Sequence, residues 1–333
     1  MINKQIILKF IHLFIYFFIF LFLYLFIYSN NVRAQQITLS ISPPVVELLV
    51  KPDKSLLIGY TIRNLADPTP LSVKVRTFSP QGDYGEIVID PELISPIRFS
   101  LDNTDMQFEQ PFFMKSRDTV QALLRIRVPE GTPEGDYYFT VLAETEPAPQ
   151  IGGTSTSVAK ATIGSNLLLT VTKSGRVEVK GRISLFQMTP DFTFHMFGRE
   201  YQVVESGRNI PVDLVVQNTG KNLIKPQGEI VLRGPLGQKT SYSLFSQNVL
   251  ADSSRLLRTL ENNESPVLHT VNVSGYFMGV YTLSANVNFG EGASQLYANT
   301  SFIGVPIRFS IAMLVILTIS VLIIVSKRKR RKE

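Results

Sequence analysis

The residues with the greatest scope for catalysis or metal binding in this chain are its histidines and its clustered carboxylates. Past the first 34 residues the chain has two histidines, His195 and His269. Neither has a second histidine or a carboxylate at the sequence spacing typical of zinc ligands. His269 lies in a segment where apolar and polar residues alternate, so we expect it on the ordinary surface of a β-strand.

Three groups of carboxylates lie close together in the sequence, and none has the spacing of a reactive site. Carboxylates near a turn usually form a solvated surface, and a calcium-binding loop needs a denser Asp-x-Asp-x-Asp-Gly pattern. We therefore expect these groups to be ordinary surface. They are Glu130 with Glu134, Glu144 with Glu146, and Asp83 with Glu86 and Asp90.

The chain also lacks the motifs that carry other reactions. It has no cysteine, which excludes thiol nucleophiles, zinc–thiolate sites, disulfides and a lipoprotein anchor. It has no Gly-x-Ser-x-Gly elbow, no phosphate-binding glycine loop and no dinucleotide fingerprint. We predict that the protein is not an enzyme and that it has no catalytic residue, cofactor or metal. The sequence does not identify its binding residues.

Two apolar clusters interrupt the polar surface pattern. The first surrounds His195 and either packs in a core or between domains, or forms an exposed aromatic patch that marks a partner surface. The sequence leaves these alternatives open. The second, at residues 105–114, predicts a hydrophobic hairpin or flap. The members of the first cluster are Phe192, Phe194, Met196 and Phe197.

Short alternating segments separated by Pro, Gly, Asn and Asp fill most of residues 36–304, which is typical of strands in a β-sandwich. No long segment has the 3.6-residue apolar period of a helix. The pattern predicts an all-β fold with two tandem immunoglobulin-like antiparallel β-sandwiches, at residues 35–173 and 174–304. Gly164 predicts a bulge or bend, and residues 250–263 predict one or two helical turns or a long loop.

A weak internal repeat supports two copies of one architecture. The segment 60–64 and the segment 214–218 each read as a strand closed by Asn, a residue that tolerates a left-handed backbone. Gly-x-Tyr then precedes an alternating strand in both halves, at 135–137 and 279–281. A tyrosine there can reach back to the corner of the sandwich.

Both ends of the chain predict contact with a membrane. Residues 309–326 form an uncharged apolar run long enough to span a bilayer as a helix, after a lead-in at residues 305–308. Residues 327–333 form a basic tail, which favours a cytoplasmic C-terminus and an ectodomain on the outer side. Residues 1–34 read as a signal peptide cleaved after Ala34; an uncleaved second anchor is the alternative.

The basic charge of the chain reflects this topology. The whole chain has a net charge of +6, but residues 327–333 hold six of the 33 basic residues and one of the 27 acidic residues. Lys4, Lys9 and Arg33 lie in the N-terminal segment. Residues 35–326 therefore hold 24 basic and 26 acidic side chains, a net charge of −2. We predict no nucleic-acid partner, because such binding needs a basic stripe on a folded surface.

In its order of segments the chain resembles the Gram-positive WxL-interacting surface proteins. The resemblance implies a signal peptide, a peptidoglycan-binding immunoglobulin-like domain, a second host-binding domain, a transmembrane helix and a basic tail. The second domain departs from that family, and no ligand-binding residue of the family maps onto this chain. The resemblance is strongest in residues 37–173, and the residues that carry it are 39–44, 57–64, 128–131, 135–137, 161–171 and 309–332.

These observations predict a non-enzymatic bacterial protein on a single C-terminal membrane anchor. Its sandwiches would bind cell-wall polymer, such as peptidoglycan, or another surface protein at the outer face of the cell membrane. The alternative is an accessory or chaperone-like subunit of a membrane or surface assembly, because an open sandwich edge can receive a strand from a partner.

Overall fold

The structure is a computed structural model that describes residues 14–20, 38–65, 67–146, 160–262, 268–290 and 295–330. Most of these residues lie in β-strands, and one long helix follows the last strand. The first ten strands are β1 (Leu39–Ser42), β2 (Val45–Val50), β3 (Lys54–Asn64), β4 (Thr69–Gln81), β5 (Glu86–Ile89), β6 (Arg98–Leu101), β7 (Phe112–Met114), β8 (Thr119–Val128), β9 (Gly135–Thr145) and β10 (Thr162–Val171). The next strands are β11 (Gly181–Met188), β12 (Phe192–Met196), β13 (Arg199–Glu205), β14 (Ile210–Asn218), β15 (Gln227–Arg233), β16 (Lys239–Phe245), β17 (Ser254–Leu256), β18 (Arg258–Thr259), β19 (Val271–Val273), β20 (Gly279–Asn288) and β21 (Leu296–Val305).

Strands β1–β10 form the first sandwich. One sheet has the order β1-β3-β8-β6, and the other has the order β2-β10-β9-β4-β5 with β7 beside β4. The alternating sequence of β8 gives this strand one apolar face, on which Ala122, Leu124, Ile126 and Val128 are all buried. They pack against residues of the opposite sheet such as Phe139 and Leu169.

Strands β11–β21 form the second sandwich. Its smaller sheet places β14 between β11 on one side and β17 and β19 on the other, and its larger sheet has the order β12-β13-β21-β20-β15-β16-β18. Leu214 and Val216 of β14 face Leu283 and Phe302 in the core between the sheets. The predicted fold class, two immunoglobulin-like sandwiches with a C-terminal apolar helix, is confirmed. Two strand pairs, β2 with β10 and β13 with β21, run parallel.

Three local predictions are wrong. Gly164 lies in unbroken register with β9, and it has no room for a side chain because a Cβ there would lie 2.9 Å from Thr140 Oγ1. Residues 250–262, the described part of the segment predicted to hold a helical turn or a long loop, contain the short strands β17 and β18. Residues 105–114 form neither a hairpin nor a flap, because β7 pairs with β4 and Met106 and Met114 are buried in the first core.

The internal repeat has a structural basis, although the left-handed backbone expected at its two asparagines is not present. Asn64 and Asn218 end equivalent strands and are both buried. Neither has a positive φ; instead, each side-chain amide donates to backbone carbonyls of loops that flank the strand. Tyr137 forms the predicted corner contact, because its hydroxyl donates to the carbonyl of Pro133 at 3.0 Å.

Asp136, at the start of β9, joins the two sandwiches. Its Oδ1 accepts a hydrogen bond from Asn222 Nδ2 at 2.9 Å, and its Oδ2 accepts one from the backbone N–H of Leu223 at 2.5 Å. The Tyr138 hydroxyl donates to the same carboxylate and accepts from the backbone N–H of Ala251 at 2.8 Å. Burial, together with the adjacent Asp136 charge, raises the pKa of Tyr138.

Further contacts extend this junction. Glu47 of β2 pairs with Lys225 Nζ at 2.6 Å and accepts from Asn248 Nδ2 at 2.6 Å. Beside them lies an apolar cluster that draws on both sandwiches. Its members are Phe78, Leu168 and Leu250, with Ile87, Tyr138 and Leu223 packed against them.

The C-terminal helix spans Ile307–Arg330 and follows β21 after a single residue, Pro306. Its stretch Ile307–Ile324 is long and apolar enough to cross a membrane, and no part of that stretch is buried against the protein. The predicted basic tail continues past the described residues. The predicted signal peptide lies mostly outside them, apart from residues 14–20, which are helical and exposed.

Candidate partner-binding site

The two histidines have carboxylate neighbours that sequence spacing did not reveal. His269 Nδ1 lies 2.9 Å from Asp213 Oδ1 of β14, and His195 Nε2 lies 3.7 Å from Glu200 Oε2 across the β12–β13 pair. His269 lies just before β19, so its predicted place within a strand is wrong. Among the described residues, no three His, Cys, Asp or Glu side chains are placed to share a metal ion.

The carboxylate groups have structural roles. Glu144 Oε2 lies 2.7 Å from Lys74 Nζ and 2.9 Å from Lys160 Nζ. Burial acts to raise the pKa of Glu144, but the hydrogen bonds from the two lysines outweigh it and lower the pKa. Glu146 accepts from the Ser72 hydroxyl at 2.8 Å, and Asp90 accepts from a threonine hydroxyl of β4. These contacts hold neighbouring strands together.

A groove of 220 Å³ separates the two sandwiches, and Arg255 lies in it. Its Nη1 donates to the carbonyl of Asn248 at 2.7 Å. Its Cζ lies 2.6 Å from where a Cβ on Gly85 would be. Burial lowers the pKa of the guanidinium. Because the cation rests on backbone of the first sandwich, we assign it to the junction between the sandwiches.

The aromatic cluster around His195 forms an exposed hairpin at the edge of the second sandwich. Strands β12 and β13 pair in register, with Phe192 opposite Val203 and Phe194 opposite Tyr201. The rings of Phe194 and Tyr201 stack with their centroids 5.2 Å apart. Phe192, Phe194 and Met196 are all exposed, so the second alternative of the sequence, an exposed aromatic patch, is correct.

The turn of this hairpin carries an unusual residue. Phe197 and Gly198 form the two-residue turn, with φ of 51° and 74°. A turn with two positive φ values favours Asn, Asp or Gly, because a side chain with a Cβ is strained there. The turn instead has a phenylalanine that is 92% exposed. Neither backbone geometry nor burial explains this residue, and a strained residue of this kind often marks a functional surface.

The outward face of the larger sheet extends the hairpin surface. Residues Phe192, Val203, Ile303 and Val280 lie in one row across four neighbouring strands. They face away from the core, because the adjacent residues Val204, Phe302 and Tyr281 are the buried ones. We call this surface the apolar patch. It consists of Phe192, Phe194, Met196, Phe197, Tyr201, Val203, Val280 and Ile303.

Strand β12 also presents an unpaired edge. Among the strands that the structure describes, it is the last of its sheet and its only partner is β13. Edge strands offer free backbone N–H and C=O groups, and proteins usually protect them with charges or proline. Every residue of β12 is exposed, and His195 is its only titratable residue. A partner strand could therefore pair with β12 while its side chains cover the apolar patch.

Comparison with models of known protein families and with curated proteins finds no match. The chain is similar in structure to two-domain bacterial chaperones. The class 5 fimbriae chaperone CfaA matches with 9% identity over 80% of this chain and all of that chain, at a TM-score of 0.35. The CsuC–CsuE chaperone–adhesin complex of Acinetobacter baumannii also gives 9% identity over 80% of this chain and 99% of that chain, at 0.35. The E. coli chaperone DraB gives 14% identity over 80% and 99%, at 0.33.

Proposed function

We propose that this protein is a membrane-anchored accessory or chaperone-like subunit that holds another protein on its apolar patch. The observation that carries the proposal is Phe197, a phenylalanine exposed at a turn position that favours Asn or Gly. Phe197 lowers the stability of the free protein and its ring is exposed there. A partner that covers this ring would explain why a phenylalanine stands at this position. Exposed apolar surfaces of this kind mark protein or membrane interaction sites.

The anchor in this proposal is the helix Ile307–Arg330. The cations Lys327–Arg330 at its C-terminal end keep that end cytoplasmic, which leaves both sandwiches on the outer side of the membrane. Only Pro306 separates the larger sheet from the helix. The apolar patch therefore starts close to the membrane and extends away from it along β12 and β13. A partner held there would itself be a membrane protein or a newly exported chain.

The resemblance to WxL-interacting proteins supports a different partner, a cell-wall polymer such as peptidoglycan. Saccharide and peptide units of the wall are rich in hydroxyl, amide and carboxylate groups that need hydrogen bonds. The apolar patch offers one side-chain hydroxyl, on Tyr201, beside aliphatic and aromatic carbon. This composition suits an apolar protein segment better, because burial of apolar surface drives such association.

Co-purification from detergent-extracted membranes of producing cells tests the proposal. The tagged full-length chain is compared with the variant Phe194→Ser and with the control Tyr84→Ser, which removes an exposed ring from the first sandwich. We expect one protein at constant ratio to the wild type and to the control, and its loss with Phe194→Ser. Retention by purified cell-wall sacculi that is equal for all three chains, without such a protein, would favour wall binding and refute the proposal.

A further inference from the structure

The loops at one end of the second sandwich form a separate apolar surface. Three loops lie there: residues 206–209 after β13, 234–238 after β15, and 274–278 before β20. Hydrogen bonds gather two of these loops around the start of the C-terminal helix. The backbone N–H of Ser206 donates to the carbonyl of Val305 at 3.1 Å, and that of Gly207 donates to the carbonyl of Gly275 at 3.0 Å.

The third loop is adjacent to this group. A Cβ on Gly279 would lie 3.2 Å from Pro235 Cγ, so the turn after β15 touches the start of β20. The loops display three exposed apolar side chains. Leu236 is 86% exposed, Tyr276 is 62% exposed and Met278 is 58% exposed.

The two arginines at this end are ion-paired, Arg208 with Asp191 and Arg308 with Glu205. None of the three loops contains Asp or Glu, and Arg208 is exposed among them. A second cation, Arg308, lies at the first turn of the helix. Exposed apolar side chains and a tyrosine, in loops that contain no acidic residue, suit the boundary between lipid acyl chains and headgroups.

The loops are held close to the start of the helix, and therefore close to the surface of a membrane that the helix spans. Glu205, the last residue of β13, lies 3.1 Å from Arg308 Nε and also accepts from the backbone N–H of Arg308 at 3.4 Å. Pro306 is the only residue between β21 and the helix. The end of the sandwich therefore joins the helix through a single residue, and the contact between Glu205 and Arg308 fixes the first turn of the helix to β13.

The geometry points to a second membrane contact: the loops 206–209, 234–238 and 274–278 insert Leu236, Tyr276 and Met278 into the interface of the outer leaflet. This inference rests on the proposed membrane anchor. It adds that the second sandwich is docked on the lipid surface at this end, with the hairpin turn at Phe197 directed away from the bilayer. The occupant is a lipid bilayer because the surface is continuous with the start of the spanning helix.

The absence of tryptophan from the sequence permits a direct test. Four full-length variants each receive a single tryptophan: Leu236→Trp, Tyr276→Trp, Tyr84→Trp in the first sandwich, and Leu317→Trp in the helix. Each is reconstituted into phosphatidylcholine and phosphatidylglycerol vesicles, with and without lipids brominated near the headgroup end of the acyl chain or at its centre. Bromine quenches a tryptophan that lies in contact with it.

We expect the tryptophans at 236 and 276 to emit at shorter wavelength than the one at 84. We also expect them to lose half or more of their emission with the headgroup-proximal bromine, while Tyr84→Trp keeps its emission. If Leu317→Trp is quenched by the central bromine but positions 236 and 276 behave like 84, the helix is inserted and the loops do not touch lipid, which overturns this inference alone. If Leu317→Trp is not quenched, the proposed anchor fails and the inference fails with it.

Discussion

Replacing Phe197 with asparagine separates the stability of the hairpin from the binding that we assign to it. Phe197 has a left-handed backbone, with φ of 51°. That conformation costs a residue with a Cβ about 1–2 kcal/mol, and asparagine avoids part of this cost through local hydrogen bonds. The phenylalanine ring is 92% exposed, so its removal loses almost no burial. We therefore expect Phe197→Asn to raise the free energy of unfolding by about 1 kcal/mol.

The same change should weaken partner binding. Full burial of a phenylalanine side chain against a partner contributes about 1.5–3 kcal/mol. Its loss corresponds to a fall in affinity of roughly 10- to 100-fold, since about 1.4 kcal/mol is a factor of ten. Chemical denaturation of the full-length protein in detergent measures the first effect. Titration of the co-purified partner by biolayer interferometry measures the second.

A matched control isolates the backbone effect. Arg117 also has a positive φ, of 61°, and it is exposed on the first sandwich, away from the apolar patch. We expect Arg117→Asn to stabilise the protein by a similar amount and to leave the affinity unchanged. The reasoning is refuted if Phe197→Asn destabilises the protein, or if it stabilises the protein and binds the partner as tightly as the wild type.

Three further predictions concern the junction, the ion pairs and the membrane end. Asp136→Ala removes the hydrogen-bond acceptor shared by both sandwiches, so we expect the free energy of unfolding to fall by about 2–3 kcal/mol. We also expect a larger radius of gyration in small-angle X-ray scattering, and an unchanged radius would contradict the role of the junction. Because the folded pKa of Glu144 is lowered from 4.5, its contribution to stability is present above pH 4.5 and is lost as the pH falls through the folded value. The acid limb of the stability–pH curve should therefore flatten in Glu144→Gln, and an identical limb would exclude this role. A Cβ on Gly304 would lie 2.8 Å from the backbone of Phe277, so Gly304→Ala should lower the free energy of unfolding by about 1–3 kcal/mol. Gly131 has open space around it, so Gly131→Ala should lower it much less. Equal melting temperatures of the two variants would contradict the packing argument.

The strands that alternate regularly could be predicted from the sequence because one of their faces is buried. Strand β8 is an example, because its residues Ala122, Leu124, Ile126 and Val128 are apolar and buried. Their side-chain pattern contains the signal, since a strand buried on one face must place apolar residues at every second position.

The features missed by sequence reasoning depend on partners that are distant in the chain. Strand β2 follows Pro43-Pro44 and forms a parallel pair with β10, more than a hundred residues later. The contact between His269 and Asp213 arises because β19 pairs with β14. Sequence spacing contains no record of such pairings.

The apolar patch could be predicted only in part. The sequence identified the aromatic residues around 192–197 but left open whether they were buried. Their exposure follows from the position of β12 as the outermost strand, which no local pattern specifies. The hairpin itself was missed because its turn is Phe-Gly, whereas the usual signals for a two-residue turn are Asn-Gly and Asp-Gly.

Photo-crosslinking along β12 in intact cells tests the central claim most directly. A photoreactive phenylalanine analogue is placed in turn at 192, 193, 194 and 195. Residues 192 and 194 lie on the apolar patch, whereas Thr193 and His195 face the other side of the same exposed strand. We predict that one protein crosslinks strongly from positions 192 and 194 and weakly from 193 and 195. Equal crosslinking from all four positions, or none from 192 and 194, would contradict the claim that this face holds a protein partner.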